Sequence, residues 1–198
     1  MWDSVPSVNQ GASAILRVPE GWSPHVDDRE YYWFWTPPDW RPTQPLSPGC
    51  CRALAAGDAL LEVFVLKAPE GNPDPAAFFG GLGKNGALKR HPGAKVYRDA
   101  SFSPKPFDSD HALHRFAALR NIKQSAFLID MKPPARGYRC TVEYKEADGK
   151  KSVTDFYSLS RGDTVLQLNM KTYLAWFGPL KTVFEQVATS VMISGYVG

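Results

Sequence analysis

The hydrophobic and polar positions follow their clearest pattern in the last third of the chain. Two short strands are predicted at residues 138–145 and 151–159, on either side of a polar turn at residues 147–150. A third strand is predicted at residues 164–170, and residues 171–177 then lead into an amphipathic helix that runs nearly to the C-terminus. Three antiparallel strands covered by one helix make a packing unit, which offers a surface and contains no catalytic constellation.

The C-terminal helix is predicted from one apolar stripe. Gly178 precedes Pro179, and proline suits the first position of a helix, so we expect the helix to begin there. Burial of one large apolar side chain contributes roughly 1.5–3 kcal/mol, which would anchor the helix on the sheet. Trp176, just before the helix, is expected to be a core aromatic residue. The stripe recurs at steps of three and four and consists of Leu180, Val183, Phe184, Val187 and Val191.

The N-terminal part of the chain predicts an arm, two strands and a long loop. Residues 1–11 are polar and form the arm, and strands are predicted at residues 12–18 and 31–35. Residues 36–49 hold five prolines, which predict an extended loop because proline cannot donate a backbone hydrogen bond. Loops of this length usually carry function or contact a partner.

The next segment predicts a buried strand at residues 58–66. Glu62 interrupts one face of that strand, so the opposite face is the better core face, with Leu61, Val63 and Val65. Asp74 stands where a helix N-cap belongs, and a short helix is predicted at residues 76–82.

The sequence pattern in the middle of the chain fits more than one secondary structure. Residues 87–110 are basic and predict a loop, with a strand at residues 94–97. Alternation near residues 127–131 favours one or two strands across residues 112–130. Helical spacing also fits the start of that stretch, at Leu113, Phe116, Ala117 and Arg120.

Composition limits the classes of function. The 198 residues fit one domain with an arm, and a hydrophobic content of 43% is ordinary for a globular chain. A net charge of +3 with scattered basic residues is too weak to indicate nucleic-acid binding. No apolar run approaches the roughly 20 residues that a membrane-spanning helix needs. No export signal is visible at the start of the sequence, which leaves open whether a targeting segment precedes it.

The cysteines allow two interpretations. Cys50 and Cys51 are adjacent, Cys140 is distant, and the histidines do not complete a zinc pattern with them. The first interpretation is three buried or unpaired thiols. The second is one disulfide from Cys140 to Cys50 or Cys51, which requires an oxidising compartment.

The strongest candidate for a metal site is an acidic and histidine-containing cluster. Asp108, Asp110, His111 and His114 place oxygen and nitrogen donors close together in the sequence, as calcium or another divalent ion would require. Such a site would make the chain a small-ligand-binding, metal-binding or hydrolytic domain. The alternative is a polar loop. No nucleophile elbow and no phosphate-binding loop motif occurs, so an enzyme is not expected.

A candidate contact surface combines aromatic and basic residues. The aromatic residues lie beside the proline-rich loop, where they either meet a partner or form a second core layer under that loop. A basic stretch at residues 84–98 would help to steer the chain toward an acidic partner. The residues predicted to contact a partner are Tyr31, Trp33, Trp35, Trp40, Lys84, Lys89 and Arg90.

Three stretches of the chain resemble the PsbP family of extrinsic photosystem proteins. Residues 16–24, Leu-Arg-Val-Pro-Glu-Gly-Trp-Ser-Pro, resemble the family's strand that ends in a Val-Pro-x-x-Trp turn. Residues 144–150 resemble its late hairpin, and residues 176–190 resemble its terminal helix. Each motif alone is weak, but they occur in the family's order and span most of residues 12–193.

The resemblance implies an α+β fold, namely an α/β/α sandwich around a central antiparallel β-sheet, across one domain at residues 12–198. It also implies a non-enzymatic protein of the chloroplast thylakoid lumen, peripheral to the membrane, with no required cofactor. Such proteins dock on a photosystem and help to retain calcium and chloride at the manganese cluster or assist assembly. The lumen would permit a disulfide. The arm at residues 1–11 is shorter than the family's ion-retaining arm, which favours a PsbP-like paralogue that serves photosystem I or another thylakoid complex.

Overall fold

A seven-stranded antiparallel sheet is the central element of the computed structural model, which describes residues 15–27, 31–67, 84–104, 107–120 and 131–194. Its strands are β3 (Arg41–Pro42), β4 (Arg52–Ala56), β5 (Ala59–Lys67), β6 (Lys95–Ser101), β7 (Arg136–Lys145), β8 (Lys151–Arg161) and β9 (Thr164–Tyr173). They lie in the order β3-β4-β5-β9-β8-β7-β6, so the predicted antiparallel sheet and the α+β class are confirmed.

A second, three-stranded sheet and three described helices complete the architecture. The small sheet has the order β1-β2-β10. Its strands are β1 (Ser23–Val26), β2 (Tyr32–Thr36) and β10 (Met192–Ile193). The helices are α1 (Lys84–Arg90), α2 (Ser109–Arg120) and α3 (Leu174–Thr189). No helix among the described residues has both the length and the apolar composition needed to cross a bilayer.

The strand register divides the large sheet into two chemically different faces. Side chains alternate along a strand, so residues that pair across strands share a face. The inner face carries mainly apolar residues, and α3 packs on it against β8 and β9 while also contacting β2. The outer face is more polar. Inner-face residues include Leu61, Val63, Tyr157, Leu159, Leu166, Leu168 and Met170.

The predicted C-terminal unit is confirmed, with a correction to its helix. Strands β7, β8 and β9 contain the three predicted strands, and Gly149 supplies the positive φ of 87° in the first turn. Helix α3 begins at Leu174, so Pro179 lies inside the helix and not at its first position. Because proline has no backbone N–H, the helix lacks the hydrogen bond to the Ala175 carbonyl, and packing of the helix against the sheet offsets this loss. The helix ends at Thr189, and β10 follows it.

The prediction that Trp176 is a core residue is wrong. Its side chain is 56% exposed, because the buried residues of α3 all lie in the second half of the helix. The first turn, which contains Trp176, lies at the rim of the core. Phe184 takes the role of the buried aromatic residue on this helix, with 0% exposure.

The middle of the chain is more helical than its sequence pattern favoured. Residues 109–120 form helix α2, whose residues Ala112 and Phe116 are buried four positions apart, so the strand interpretation is wrong for that part. Residues 121–130 lie outside the described residues. Helix α1 occupies part of the stretch predicted as a basic loop, while the strand predicted at residues 94–97 is confirmed as the start of β6.

The N-terminal strand predictions have mixed outcomes. The strands at residues 31–35 and 58–66 are confirmed as β2 and β5, each within one residue. Of residues 12–18, those described form no strand, and Leu16 makes one isolated bridge to Phe107. The short helix predicted at residues 76–82 lies outside the described residues. Strands β1, β3 and β4 were not predicted, and β3 lies inside the stretch that was predicted as the proline-rich loop.

Arg115 of α2 holds the turn that carries the Val-Pro-x-x-Trp resemblance. Its guanidinium donates to the carbonyls of Val18 at 3.1 Å, Pro19 at 2.7 Å and Trp22 at 3.2 Å. The same group lies over the ring of Trp35 at 5.1 Å. One side chain therefore ties this turn to the small sheet.

A buried ion pair lies between the inner face and α3. Arg139 and Asp155 are 1% and 0% exposed, and the guanidinium donates to the carboxylate at 2.9 and 2.6 Å. The hydroxyls of Thr141 and Tyr157 donate to the same carboxylate at 2.8 and 3.0 Å. Glu185 of α3 lies 3.3 Å from the guanidinium, so both strands and the helix share one cationic group.

We expect Asp155→Asn to lower the free energy of unfolding by about 3–5 kcal/mol, because the substitution removes the buried counter-charge of Arg139 and leaves only the partly exposed Glu185 near its guanidinium. Urea denaturation followed by circular dichroism measures this. The double variant Arg139→Met with Asp155→Leu should lose less than the single variant, since it removes both charges. The exposed pair of Lys150 and Asp148 supplies the control, and Asp148→Asn should change stability little. If Asp155→Asn and Asp148→Asn were equally stable, the buried ion pair would not stabilise the fold as we infer.

We expect Phe184→Ala to lower the free energy of unfolding by about 3–5 kcal/mol, because it opens a cavity in the core. Trp176→Ala on the same helix should cost about 1 kcal/mol or less, since more than half of that side chain is exposed. Chemical denaturation of both variants measures the difference. A Trp176 variant as unstable as the Phe184 variant would restore the core assignment of Trp176.

Candidate functional site

A cleft of about 210 Å³ opens on the outer face of the large sheet. Its floor is formed by strands β5, β8 and β9. One wall is the proline-rich loop, with Leu46 and Ser47, and the other wall contains Arg90 and His91 at the end of α1. Two elements that lie more than forty positions apart in the sequence thus face each other across the sheet. The floor residues are Leu60, Glu62, Thr154, Phe156, Asn169 and Lys171.

The strand register places these floor residues side by side. Thr154 of β8 pairs with Lys171 of β9, and Lys171 pairs with Leu60 of β5. The next row on the same face consists of Phe156, Asn169 and Glu62. Two successive rows therefore supply a mainly polar floor, in which Leu60 and Phe156 are the two apolar residues.

Glu62 fixes the wall that the proline-rich loop provides. Its carboxylate accepts hydrogen bonds from the backbone N–H groups of Leu46 and Ser47, both at 2.8 Å, and from the Ser47 hydroxyl at 2.7 Å. Glu62 is only 6% exposed, and a buried carboxylate needs such donors. The arrangement leaves the Leu46 side chain 72% exposed at the rim of the cleft.

His91 and Tyr144 form the junction between α1 and the sheet. Their rings stack with centroids 3.9 Å apart, and the Tyr144 hydroxyl lies 3.0 Å from the Thr154 hydroxyl. Burial lowers the pKa of His91, although Glu146 acts in the opposite direction. The imidazole is therefore uncharged near neutral pH and adds no positive charge to the cleft.

The cleft contains one paired cation and one cation that has no acidic partner among the described residues. Desolvation is the largest influence on Lys171 and opposes its charge, but the interactions with Glu146 and Tyr144 together outweigh it and raise the pKa of the ammonium. The Lys171 Nζ lies 2.5 Å from Glu146 Oε1. Within the described ranges, no acidic side chain pairs with Arg90 or with the neighbouring Lys89, and both are exposed. Among the described residues, the end of α1 therefore carries positive charge that no acidic side chain pairs with.

The structure separates the residues predicted to contact a partner. Arg90 lines the cleft, Lys89 precedes it on α1 and is exposed, and Lys84 begins α1 with a side chain outside the described residues. Trp33, Trp35 and Trp40 are 0%, 0% and 3% exposed, so the prediction that they form a contact surface is wrong. Tyr31 is partly buried and packs against the same core.

Trp33 and Trp35 are buried because β2 is covered on both faces, whereas Trp40 lies outside β2 and is buried against α3. This strand lies between β1 and β10, and all five of its residues are buried. Trp33 packs against Phe116 of α2 at 5.5 Å between ring centroids, and Trp40 packs against Phe184 of α3 at 6.3 Å. The alternative that the sequence left open, a second core layer, is the one that forms.

The predicted metal site does not form. Asp108 is the N-cap of α2, where its carboxylate accepts from the His111 N–H at 3.0 Å and from Arg17 Nε at 3.0 Å. The bond from His111 is the main cause of a lowered pKa at Asp108. Asp110 and His114 are exposed around the helix, and no group of three potential ligands occurs in the part of the chain that the structure describes. The prediction is wrong because the helix disperses the donors and its first turn uses the carboxylate.

The possible disulfide between Cys140 and the adjacent cysteine pair does not form. Cys140 lies on β7, whereas Cys50 and Cys51 immediately precede β4. Four spacings of about 4.8 Å separate those two strands in the sheet, far beyond the reach of a disulfide. The thiol interpretation is the one that the structure supports.

Comparison with known proteins supports the fold and no closer relationship. No protein-family model matches this sequence, and no curated protein matches it. The structure is similar to cyanobacterial PsbP from Synechocystis sp. PCC 6803, with a TM-score of 0.51 and 14% identity over 96% of this chain and 98% of that one. It is also similar to the Saccharomyces cerevisiae Ran-binding protein Mog1p, with a TM-score of 0.52 and 7% identity over 87% and 95%. The chain therefore has a PsbP-like and Mog1-like fold.

We expect Glu62→Gln to lower the free energy of unfolding by about 1–3 kcal/mol, because it weakens hydrogen bonds to a buried charge. Amide hydrogen exchange should speed up at Leu46 and Ser47 before the rest of the sheet opens. Asp58→Asn, in the exposed turn before the same strand, is the matched control and should change neither quantity. Unchanged exchange at Leu46 and Ser47 in Glu62→Gln would show that the loop is held by other contacts.

Proposed function

We propose that this chain is a non-catalytic docking protein that binds a larger protein assembly through the outer face of its seven-stranded sheet. The observation that carries the proposal is the cleft between the proline-rich loop and α1. It combines an exposed leucine, Leu46, with the exposed Arg90, which pairs with no acidic side chain among the described residues, above a partly polar floor. Protein interfaces commonly combine an apolar contact with a polar rim.

The architecture of the cleft supports a docking role. The loop is held by a buried carboxylate, and α1 is held by the stack of His91 on Tyr144. Both walls are thus ordered before any partner arrives, which reduces the entropy lost on binding. The exposed charges of Lys89 and Arg90 would speed the encounter with an acidic partner.

The assembly that we propose is a photosystem, approached from the thylakoid lumen by a protein peripheral to the membrane. Two observations support this choice: the fold shared with cyanobacterial PsbP over nearly the whole of both chains, and the three stretches that resemble that family. Yeast Mog1p shares the fold and is by name a Ran-binding protein, so the fold also serves a protein with a different partner. In this proposal the chain requires no cofactor.

We expect the purified protein to co-sediment with isolated photosystem I or photosystem II and to be released at high salt. The double variant Lys89→Glu with Arg90→Glu should weaken binding roughly tenfold, because both residues are exposed cations at the end of α1, the helix that leads into one wall of the cleft. Lys181→Glu is the matched control, since this exposed lysine lies on α3 and therefore on the opposite side of the sheet. Failure of the chain to bind either photosystem, or equal weakening by the control, would contradict the proposal.

A further inference from the structure

We propose that the end of the large sheet beside the turn between β4 and β5 binds a short, neutral oligosaccharide. The inference does not depend on the proposed docking function, since it concerns a cavity under the first turns of α3. It rests on the size of that cavity, on three groups around it that lack partners, and on the balance of charge in its lining.

A cavity of about 330 Å³ lies between the β4–β5 turn and the first half of α3. The core is not filled here, because the buried residues of α3 all lie in the second half of the helix and the sheet residues Ala56 and Ala59 are small. The volume falls at the lower end of the range of about 300–1,000 Å³ that is usual for small-ligand pockets. The other lining residues are Gly57, Asp58, Thr172, Trp176, Pro179 and Leu180.

Thr172 supplies a buried hydroxyl group that lacks a partner. Its side chain is 1% exposed and lines the cavity from β9. Within the described part of the chain, the Thr172 hydroxyl has no hydrogen-bond partner. A buried hydroxyl without a hydrogen bond destabilises a fold, so such a group calls for an explanation. A ligand that carries hydroxyl groups would supply the missing bond.

Trp176 and Asp58 supply an aromatic face and a carboxylate beside the same cavity. Trp176 is 56% exposed, and Asp58 is exposed in the turn. Among the residues that the structure describes, no side chain pairs with the Asp58 carboxylate. The face of the indole is electronegative and attracts C–H groups, while a carboxylate accepts hydrogen bonds from hydroxyls. A sugar ring presents C–H groups on its faces and hydroxyls around its edge.

The charge of the lining favours a neutral ligand. Asp58 is the only ionisable residue among the described residues that line this cavity, which disfavours an anion. An organic cation would pair with Asp58 and lie over Trp176, but it would be drawn to the exposed carboxylate and away from the buried hydroxyl of Thr172. A neutral ring with several hydroxyls uses all three groups.

A second cavity of about 290 Å³ continues the site on the outer face of the sheet. The residues that line both cavities are Gly57, Asp58, Ala59 and Thr172, so the cavities meet at the turn. Gly57 has a φ of 55° and no side chain that would separate them. The second cavity adds the exposed side chains of Thr43 and Gln44, which are neutral hydrogen-bonding groups. Two joined cavities of this size indicate a ligand of more than one ring.

The second cavity adds no uncompensated positive charge. It adjoins the docking cleft, because Leu46, Leu60 and Lys171 line both. Lys171 already pairs with Glu146, and the lining of the second cavity also includes Asp58. The whole site therefore retains its preference for a neutral ligand.

The experiment is an NMR titration of the ¹⁵N-labelled protein with maltotriose and, separately, with cellotriose, two neutral trisaccharides that differ in linkage. At least one should shift the indole N–H signal of Trp176 and the amide signals of Ala59 and Thr172, with roughly millimolar affinity. Sorbitol, which has hydroxyls but no ring, is titrated in parallel. Tetramethylammonium is titrated as well, to detect a cation site.

Variants test which residues bind the sugar. Trp176→Ala should weaken binding at least tenfold. Thr172→Val should weaken binding several-fold and leave thermal stability equal or higher, since valine has the shape of threonine without the unpartnered hydroxyl. A purely structural role of Thr172 would not produce that combination. Tyr97→Ala is the matched control, because Tyr97 is an exposed aromatic residue on the distant edge strand β6, and it should leave the affinity unchanged.

Four results would each overturn the inference. They are no shifts with either trisaccharide, the same shifts with sorbitol, tighter binding of tetramethylammonium than of the sugars, and unchanged affinity in Trp176→Ala or Thr172→Val.

The variants also distinguish this inference from the proposed docking function. Lys89→Glu with Arg90→Glu should weaken binding to a photosystem and leave the sugar affinity unchanged. Trp176→Ala should have the opposite effects. Either proposal is therefore able to fail while the other holds.

Discussion

The buried ion pair of Arg139 and Asp155 joins strands β7 and β8 to helix α3, which covers them. The carboxylate accepts from the guanidinium and from two hydroxyls, and Glu185 of α3 approaches the same guanidinium. A slip of one residue in β7 or in β8 would move the charge of that strand to the other face of the sheet and separate Arg139 from Asp155. Each charge would then lose its partner, so the pair specifies the register even though a buried ion pair adds little net stability.

The register in turn decides what the outer face contains. With Tyr157 and Leu168 directed to the inner face, Phe156, Asn169 and Glu62 must lie on the outer face. Glu62 then holds the proline-rich loop, which has few backbone donors of its own to join a sheet. The position of the candidate cleft therefore depends on an interaction on the opposite side of the sheet.

The sequence indicated parts of the candidate site and missed its centre. Lys89 and Arg90 were predicted because cationic side chains remain exposed in almost any fold. The burial of the tryptophans of β2 could not be predicted. An aromatic strand has the same sequence pattern whether a second core layer covers it or a partner protein does. Glu62 was taken only as an interruption of a strand. A lone carboxylate in an apolar strand must find donors, and that signal pointed toward a polar contact on this face.

The sequence by itself determined the hairpin, the third strand, the C-terminal helix and the α+β class, because alternation and helical spacing are local properties. The tertiary structure decided where α3 begins, which aromatic residues are buried and where the proline-rich loop lies. It also decided that Asp108 caps a helix. These outcomes depend on contacts such as that between Trp35 and Ser190, which are 155 positions apart, and no local pattern records which distant segments meet.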